Sequence, residues 1–567
     1  MVDAVTLEVI RNGCAAIAEE MNANLVRTGY SPNIKERRDC SCALFGRDGE
    51  MVSQAENMPV HLGAMPFSVA AAVDAFEGTF EPGDAVLLND PFRGGAHLPD
   101  LTLVSPVYAD PESEDPELVA YAANRAHHAD VGGSTAGSVA ADSTEIYQEG
   151  LRIPPVKLYE GGDVVEDVLA VVLANVRTPE ERRGDLRAQQ AANETARERV
   201  HDLVDRYGAS DLADAFDDVK DYSERRMRAE LEAFPDGTYE FADVLDDDGR
   251  GNTDLTVRAS VTVDGDGVRV DFAGTAAQTE GPVNAVFAVT ASATYYALRC
   301  VTDPDIPPNH GCYRPIEVDA PAGTVVNPEP PAAVVGGNLE TSQRVTDVVL
   351  GALAQEVPER VTAAGQGTMN NVTFGGTDPR DDSPYAFYET QAGGFGGRSG
   401  LDGMDGVHVH MSNTMNTPVE VLETAYPLRV RRYAFRPDSG GAGEFRGGLG
   451  LRRDVQVRDH VARFSLLADR HTHRPYGLEG GEPGESGTAY RYEDGDYEAG
   501  DGERIPQKSV HELPPGTTIS VRTPGAGGYG DPADRDPDAV RRDLERGKIT
   551  AEHAMAAYGV DPEDVID

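Results

Sequence analysis

The period of the hydrophobic pattern switches repeatedly along this chain, and that switching narrows its fold most. Residues 4–28 (AVTLEVIRNGCAAIAEEMNANLVRT) carry apolar side chains at spacings of three and four, which predicts one amphipathic helix. The segment 62–76 predicts a second helix, and 164–206, rich in Arg and Glu, a longer helical stretch. Between them the pattern turns to strand at 84–90 (DAVLLND), 101–108 (LTLVSPVY) and 118–127 (LVAYAANRAH), with a hairpin expected around the RDG turn at 47–49. A three-stranded meander is predicted over 239–275, its last turn marked by DGDG. Helices are expected at 285–302 and 341–357. A Gly-rich, aromatic region of short strands follows from 363, and two short helices close the chain. This mixture predicts an α+β class, a multi-domain and sheet-rich body with flanking helices. With 567 residues the chain exceeds what one core serves. Its expected parts are an α/β unit at 1–235 carrying the candidate site, a meander with helices at 236–362, a Gly-rich β unit at 363–530 and a helical tail at 531–567.

Composition removes several function classes. No run of eighteen or more apolar residues offers a membrane span, and residues 1–20 lack the charged-then-apolar design of a secretion signal, so a soluble, cytoplasmic protein is expected. Fifty basic residues against 97 acidic ones leave a net charge of −47, and only five of the basic residues are lysines. Such a surface repels itself in dilute buffer. At molar salt the Debye length falls to about 3 Å and the penalty is screened, so the expectation is a high-salt cytoplasm. The acids are spread along the chain rather than gathered in a tail, and clustered Lys and Arg for phosphate binding are missing, which disfavours nucleic acid as a partner. Five cysteines, at 14, 40, 42, 300 and 312, form neither a CxxC pair nor a disulfide framework. Cys40 and Cys42 alternate in SCALF as buried strand positions, and all five are expected to be reduced.

The sharpest chemical pattern is a repeated His-x-x-Asp: His97 with Asp100, and His127, followed by His128, with Asp130. Imidazole nitrogens and carboxylate oxygens together suit zinc, manganese or iron. If 101–108 and 118–127 pair as an antiparallel hairpin, the start of the first lies beside the end of the second, and both motifs fall on one rim of the sheet. Gly94, Gly95, Gly132 and Gly133 flank them and permit close backbone approach. The competing structural reading makes the histidines loop hydrogen-bond donors and the aspartates turn caps. His61, at a helix start, is a candidate substrate-contacting residue or a capping donor. Asn89 and Asp90, ending the strand before the Gly loop, are candidates for the same pocket or plain turn residues. His471 and His473 in DRHTHRPYG share one strand face by period two and read as surface or interface residues. The runs GGFGGRSG (393–400) and PGAGGYGD (524–531) lack the Lys-Ser/Thr ending of a P-loop and read as turns; no GxSxG elbow is present.

LLNDPFRGGAHLPDLTLVSPVY, NRAHHADVGGSTAGS and EGLRIPPVKL resemble the hydantoinase B/oxoprolinase family. So do VDFAGTAAQTEGPVNA, PPNHGCYRPIEVDAPAGTVVNP, YETQAGGFGGR, DGVHVHMSNTMNTPVE and TPGAGGYGDP, in the same order along nearly the whole chain. The resemblance implies the hydantoinase B-type component of an ATP-dependent cyclic-amide hydrolase of the N-methylhydantoinase or 5-oxoprolinase kind, or alternatively the metal-holding subunit of an acetone- or acetophenone-carboxylase-type enzyme. It implies a separately encoded hydantoinase A-type partner that carries ATP and Mg²⁺, hence a hetero-oligomer. It also implies a divalent metal, Mn²⁺ first with Zn²⁺ or Fe²⁺ as alternatives, on His97, Asp100 and His127, with His128 as the other choice for the third ligand. In the mechanism it implies, an ion held there lowers the pKa of water, and Asp130 or His128 is placed by the hairpin to take the proton.

Overall fold

The computed structural model describes residues 3–55, 57–493 and 502–561. Its first sheet is built from β1 (Cys40–Gly46), β2 (Met51–Gln54), β3 (Ala85–Leu88), β4 (Asp100–Tyr108), β5 (Leu118–His127), β6 (Val156–Glu160) and β7 (Asp163–Val164), in the order β2-β1-β5-β4-β3-β6-β7. The pairings β1–β2, β1–β5, β3–β4 and β4–β5 are all antiparallel. β4 is buried at every position and β5 at all but its first. The reason is that both faces of the sheet are covered. Cys40, Cys42, Leu44, Ala120 and Ala122 meet the helices Ala4–Thr28 and Pro179–Tyr207. Ala43, Phe45, Val104, Tyr121 and Ala123 meet the helix Pro59–Ala75. A sheet covered on both faces reads as unbroken apolar runs, and the cysteines at 40 and 42 are the buried strand residues expected, their thiols free.

The meander forms as Gly237–Asp247, Thr253–Asp264 and Gly267–Asp271, joined in parallel by Ile316–Asp319. Two further sheets occupy the Gly-rich part. One is made of Asn371–Thr377, Pro384–Glu389, Ala462–Leu467 and Lys508–Leu513; the other is centred on Leu451–Val457 and Thr518–Arg522. Helices Pro537–Glu545 and Ala551–Tyr558 follow. Among the described residues no helix is long and apolar enough to cross a membrane.

Three local expectations are corrected. The helical stretch 164–206 is two helices, Glu166–Ala174 and Pro179–Tyr207, because Pro179 opens a new one; a further helix, Ala209–Leu231, follows. His471 and His473 are not on a strand: the Asp246 carboxylate accepts the N–H groups of His471, Thr472 and His473 and folds that segment into a loop. The runs at 393–400 and 524–531 are not chiefly turns. Gly394, Gly396, Gly447, Gly448, Gly525 and Gly527 lie backbone against backbone, and a Cβ on any of them would come within 3.0 Å of a neighbouring main-chain atom. Hydrogen bonds such as Gly448 N–H to Phe395 O (2.9 Å), Gly397 N–H to Gly527 O (2.9 Å) and Ala526 N–H to Gly448 O (3.0 Å) tie this weave together.

Candidate metal centre

The hairpin β4–β5 pairs Asp100 directly with His127. β1 lies on the other side of β5 with Cys40 opposite Ala126, which brings Asp39 to the same rim; its carbonyl accepts the His127 N–H at 3.0 Å. His97 arrives from the preceding turn, whose Gly94 holds φ at 87°, and the Asp100 N–H closes onto His97 O at 3.0 Å. Ligand atoms of His97, Asp100 and His127 fall within 4.8 Å of one another. Register and a tight turn therefore place three ligand-type side chains together.

All three are buried. Asp100 Oδ1 lies 2.9 Å from His127 Nδ1, and Asp100 Oδ2 lies 3.2 Å from His61 Nε2. His61 occupies the first turn of the helix Pro59–Ala75, with Nδ1 3.4 Å from Ser41 Oγ and Nε2 3.9 Å from Asp39 Oδ1. Burial pushes the His97 imidazole down to about 3, so its ring is neutral and keeps a lone pair. Burial opposes ionisation of Asp100, but the His61 ring and the His127 hydrogen bond outweigh it and hold the carboxyl well below the usual range. Among the described residues neither nitrogen of His97 has a hydrogen-bond partner, nor has His127 Nε2. Buried polar atoms left in that state cost about 1–3 kcal/mol each, and a divalent cation would engage one nitrogen of His97 together with His127 Nε2. Two imidazoles and a carboxylate make a donor set for zinc, manganese or iron.

The site is closed by residues from far along the chain. The Tyr388 ring stacks on His127 at 4.5 Å between centroids, with His97 at 5.4 Å from the same imidazole. The Arg37 guanidinium lies 5.0 Å from the Tyr388 ring, and donates to Tyr388 O at 3.1 Å. The Tyr388 hydroxyl donates to Asn371 Oδ1 (3.1 Å), and Asn371 Nδ2 donates to Glu340 Oε1 (2.8 Å). Sequence reasoning missed Asp39, Arg37 and Tyr388. Pairing 40–46 with 118–127 would have exposed Asp39; nothing near Tyr388 in sequence signals its position.

Of the other expected residues, His61 joins the cluster while the rest find different partners. Asp130 accepts from Gly132 N–H, Gly137 N–H, and the main-chain N–H and guanidinium of Arg177. His128 Nε2 turns to Gln189 Oε1 at 2.9 Å, and burial lowers its ring to about 4. Their contacts thus hold loops and helices together, and the side chains expected to accept a proton at the rim are engaged in packing instead. Asn89 donates to Leu98 O (2.6 Å) and Leu151 O (2.9 Å) and accepts the Ile153 N–H (2.7 Å), stapling the loop that presents His97. Asp90 caps the Pro91–Arg93 turn through Phe92 N–H and pairs with Arg152 at 3.2 Å.

Comparison with known proteins agrees with this architecture. The family model described as hydantoinase B/oxoprolinase matches residues 3–532. A protein of Methanocaldococcus jannaschii is 41% identical over 98% of this chain and 96% of its own length. A candidate D-/L-hydantoinase B-type subunit of Pseudomonas sp. strain NS671 is 34% identical, covering 99% and 95%. The 5-oxoprolinase 1 of Arabidopsis thaliana is 37% identical over 93% of this chain, which spans only 42% of that protein. Among solved structures, the ATP-dependent caprolactamase from Pseudomonas jessenii superposes with a TM-score of 0.92 at 31% identity, over 99% of this chain and 97% of that one. An acetone carboxylase in its nucleotide-free state shares the fold, with a TM-score of 0.88 at 21% identity over 98% and 79%.

Proposed function

Because this chain belongs to the hydantoinase B/oxoprolinase family, we propose that it is the hydantoinase B-type component of an ATP-dependent cyclic-amide hydrolase that opens a hydantoin or lactam ring. A hydantoinase A-type subunit, carrying ATP and Mg²⁺, activates the ring, and the two work as a hetero-oligomer. The observation that carries this reading is the buried rim of His97, Asp100 and His127 with ligand atoms lacking partners. The whole-length match to a candidate hydantoinase B-type subunit supports a separate partner. The net charge of −47 with five lysines supports a high-salt cytoplasm as its setting.

An unstrained cyclic amide is a poor electrophile. Phosphorylation of its oxygen by the partner makes the ring carbon attackable by water. The tetrahedral carbon then releases the ring nitrogen, and the acyl phosphate left behind is hydrolysed. His97, Asp100 and His127 would hold a divalent ion (Mn²⁺, or Zn²⁺ or Fe²⁺), which would supply Lewis acidity toward water at neutral pH. The chain's own residues prepare that site. Burial keeps His97 neutral, Asp100 orients both His127 and His61, and the stacked Tyr388 shields one face of His127 from solvent. Asp130 and His128 are engaged elsewhere, and His61 Nε2, facing both Asp100 and Asp39, holds those carboxylates in place.

The test is a coupled assay at molar KCl with the neighbouring A-type subunit, ATP and Mn²⁺ or Mg²⁺, offering 5-oxoproline, hydantoins, and acetone with bicarbonate. Ring opening should need both proteins and ATP, and His97→Ala should lower it roughly a hundredfold or more. Full coupled activity in His97→Ala would refute the site. Bicarbonate-dependent ketone consumption without lactam turnover would move the chain to the carboxylase-type reading, which the shared fold also allows.

A further inference from the structure

The surface beside the metal cluster differs in charge from the rest of the molecule. Residues 37–39 alternate: Arg37 and Asp39 are buried, and Arg38 between them is exposed. Asp39 Oδ1 lies 3.9 Å from His61 Nε2, so solvent and cluster are one residue apart along the chain. Arg38 holds φ at 55°, a left-handed backbone that long side chains seldom adopt. Three residues earlier Lys35 is exposed as well. Among the described residues neither cation has a carboxylate within ion-pair distance, although the chain holds 97 acids against 50 basic residues. The contrast is clearest for lysine, since each of the other four has a carboxylate oxygen within 3.0 Å.

Exposed apolar side chains continue this surface. Tyr30 opens the same loop, and Met415, half exposed, donates its N–H to Arg37 O at 3.2 Å. Beside Met415, Asn416 Nδ2 donates to the Tyr433 hydroxyl at 2.7 Å. Tyr433 and Phe435 lie two residues apart on the strand Leu428–Phe435, both exposed, and so share one face of it. That strand is the outermost of its sheet. Apolar residues exposed singly need no explanation, but four along one strip mark a contact surface. The Tyr433 ring is fixed in advance, by the Arg453 guanidinium 4.9 Å from its centre and by Asn416. An aromatic side chain ordered before contact loses little freedom on binding and suits an interface anchor.

We propose that an acidic face of the hydantoinase A-type subunit docks on this strip, with Tyr433, Phe435 and Met415 as anchors and Lys35 and Arg38 paired with its carboxylates. The proposal rests on the two-subunit reading above and adds the face of this chain at which the subunits meet. Charge favours that occupant: a partner from the same salt-rich cytoplasm would carry a similar acidic excess, which complements two cations left without partners. A second copy of this chain is acidic too, but a two-fold contact centred on the strip would set Lys35 and Arg38 against their own copies. Position favours it as well, because a ring activated on the partner has to reach His97, Asp100 and His127. At molar salt charges act over only about 3 Å. The apolar residues therefore supply most of the affinity, and the two cations select the sign of the surface they meet.

Interferometry of the full-length chain against the purified A-type subunit in molar KCl tests the proposal. Tyr433→Ser should weaken binding about thirtyfold and Met415→Glu about tenfold or more. Lys35→Glu combined with Arg38→Glu should weaken it about tenfold. Val461→Glu, at an equally exposed apolar position outside the strip, should leave the affinity unchanged. Melting temperature and divalent-metal retention of each isolated variant should match the parent chain, which separates lost docking from misfolding. Affinity unchanged in every strip variant, or lowered as much by Val461→Glu, would overturn the docking face while the two-subunit function stands. Sedimentation showing that the chain pairs with itself, and that Met415→Glu makes it monomeric, would give the strip to a second copy and overturn the proposal too. A parent chain that neither binds the A-type subunit nor opens any ring with it would bring down the functional reading, and the docking face with it.

Discussion

The β4–β5 rim and the glycine weave are both places where distant parts of the chain are drawn close, and they achieve it in opposite ways. At the rim, side chains make the site: Asp100 and His127 face each other in register, and His97 is one turn away. In the weave, the absence of side chains is the device. Gly396 lies on the carbonyl of Ala363, Gly525 on that of Ser439, and Gly447 on that of Ala526. The first arrangement needs particular chemistry at a few positions; the second needs hydrogen atoms at many. Substitutions should therefore fail differently in the two regions: through function at the rim, through folding in the weave.

The weave offers the strongest test of that contrast. In Gly396→Ala or Gly525→Ala the new Cβ would fall well within 3.0 Å of a backbone oxygen that has no flexible end to move aside. The expected cost is about 4 kcal/mol or more, in the range reserved for severe core lesions. Thermal melts in molar KCl should show either no cooperative transition or a drop in Tm well beyond that of any rim variant. Near-parental melting of both would mean that the weave yields by backbone shifts and that its glycines are not steric requirements.

Tyr388 joins the two regions, since its strand Pro384–Glu389 belongs to the third sheet while its ring covers His127. Tyr388→Ala empties a fully buried aromatic site and should cost about 3–5 kcal/mol. It should also weaken divalent-metal retention by the isolated chain, because His127 loses a packing wall. Tyr388→Phe keeps the stack and loses only the bond to Asn371, about 1 kcal/mol. Equal metal retention in both variants would show that the stack contributes only to stability.

These residues mark how far the sequence could be read. The hairpin, its rim and the cluster of His97, Asp100 and His127 were legible because two apolar runs and the motifs beside them lie within about thirty residues, where strand pairing is nearly dictated. Asp39 required knowing that β1 pairs with β5, and Tyr388 came from a strand more than two hundred residues away; neither leaves a local signal. Asp130 and His128 had the right spacing, yet spacing does not record Arg177 or Gln189, which hold them elsewhere. The glycine runs read as turns because composition registers glycine's conformational freedom, not its lack of volume.

A smaller effect should appear in the pH dependence of stability. Burial pushes the Glu340 carboxyl up to about 8, with Thr368 and the Met369 N–H lowering it, Asp469 raising it and Lys508 lowering it. A folded-state pKa above the unfolded one means stability that is complete below the ordinary carboxylate range and is lost as pH rises through about 8. Glu340→Gln keeps an acceptor for Asn371 and removes the ionisation. Its Tm should therefore fall by a few degrees less than that of the parent between about pH 6 and pH 9. Parallel pH profiles would show that Glu340 is ionised in the folded chain throughout.

The smallest expected effect returns to glycine and separates its two uses. Gly49, in the turn between β1 and β2, holds φ at 77° and would place a Cβ in open space, with nothing within 4 Å. Gly49→Ala thus meets no clash and bears only the strain of the left-handed backbone, about 1 kcal/mol. Gly49→Asn, which tolerates that conformation better, should recover part of the loss. In the weave no such rescue is available, because Asn adds the same Cβ as Ala. If Asn restores stability at Gly49 and not at Gly396, the dihedral is the constraint in the β1–β2 turn and volume is the constraint in the weave. If Asn also rescues Gly396, the weave too is held by backbone conformation, and the distinction between the two regions fails.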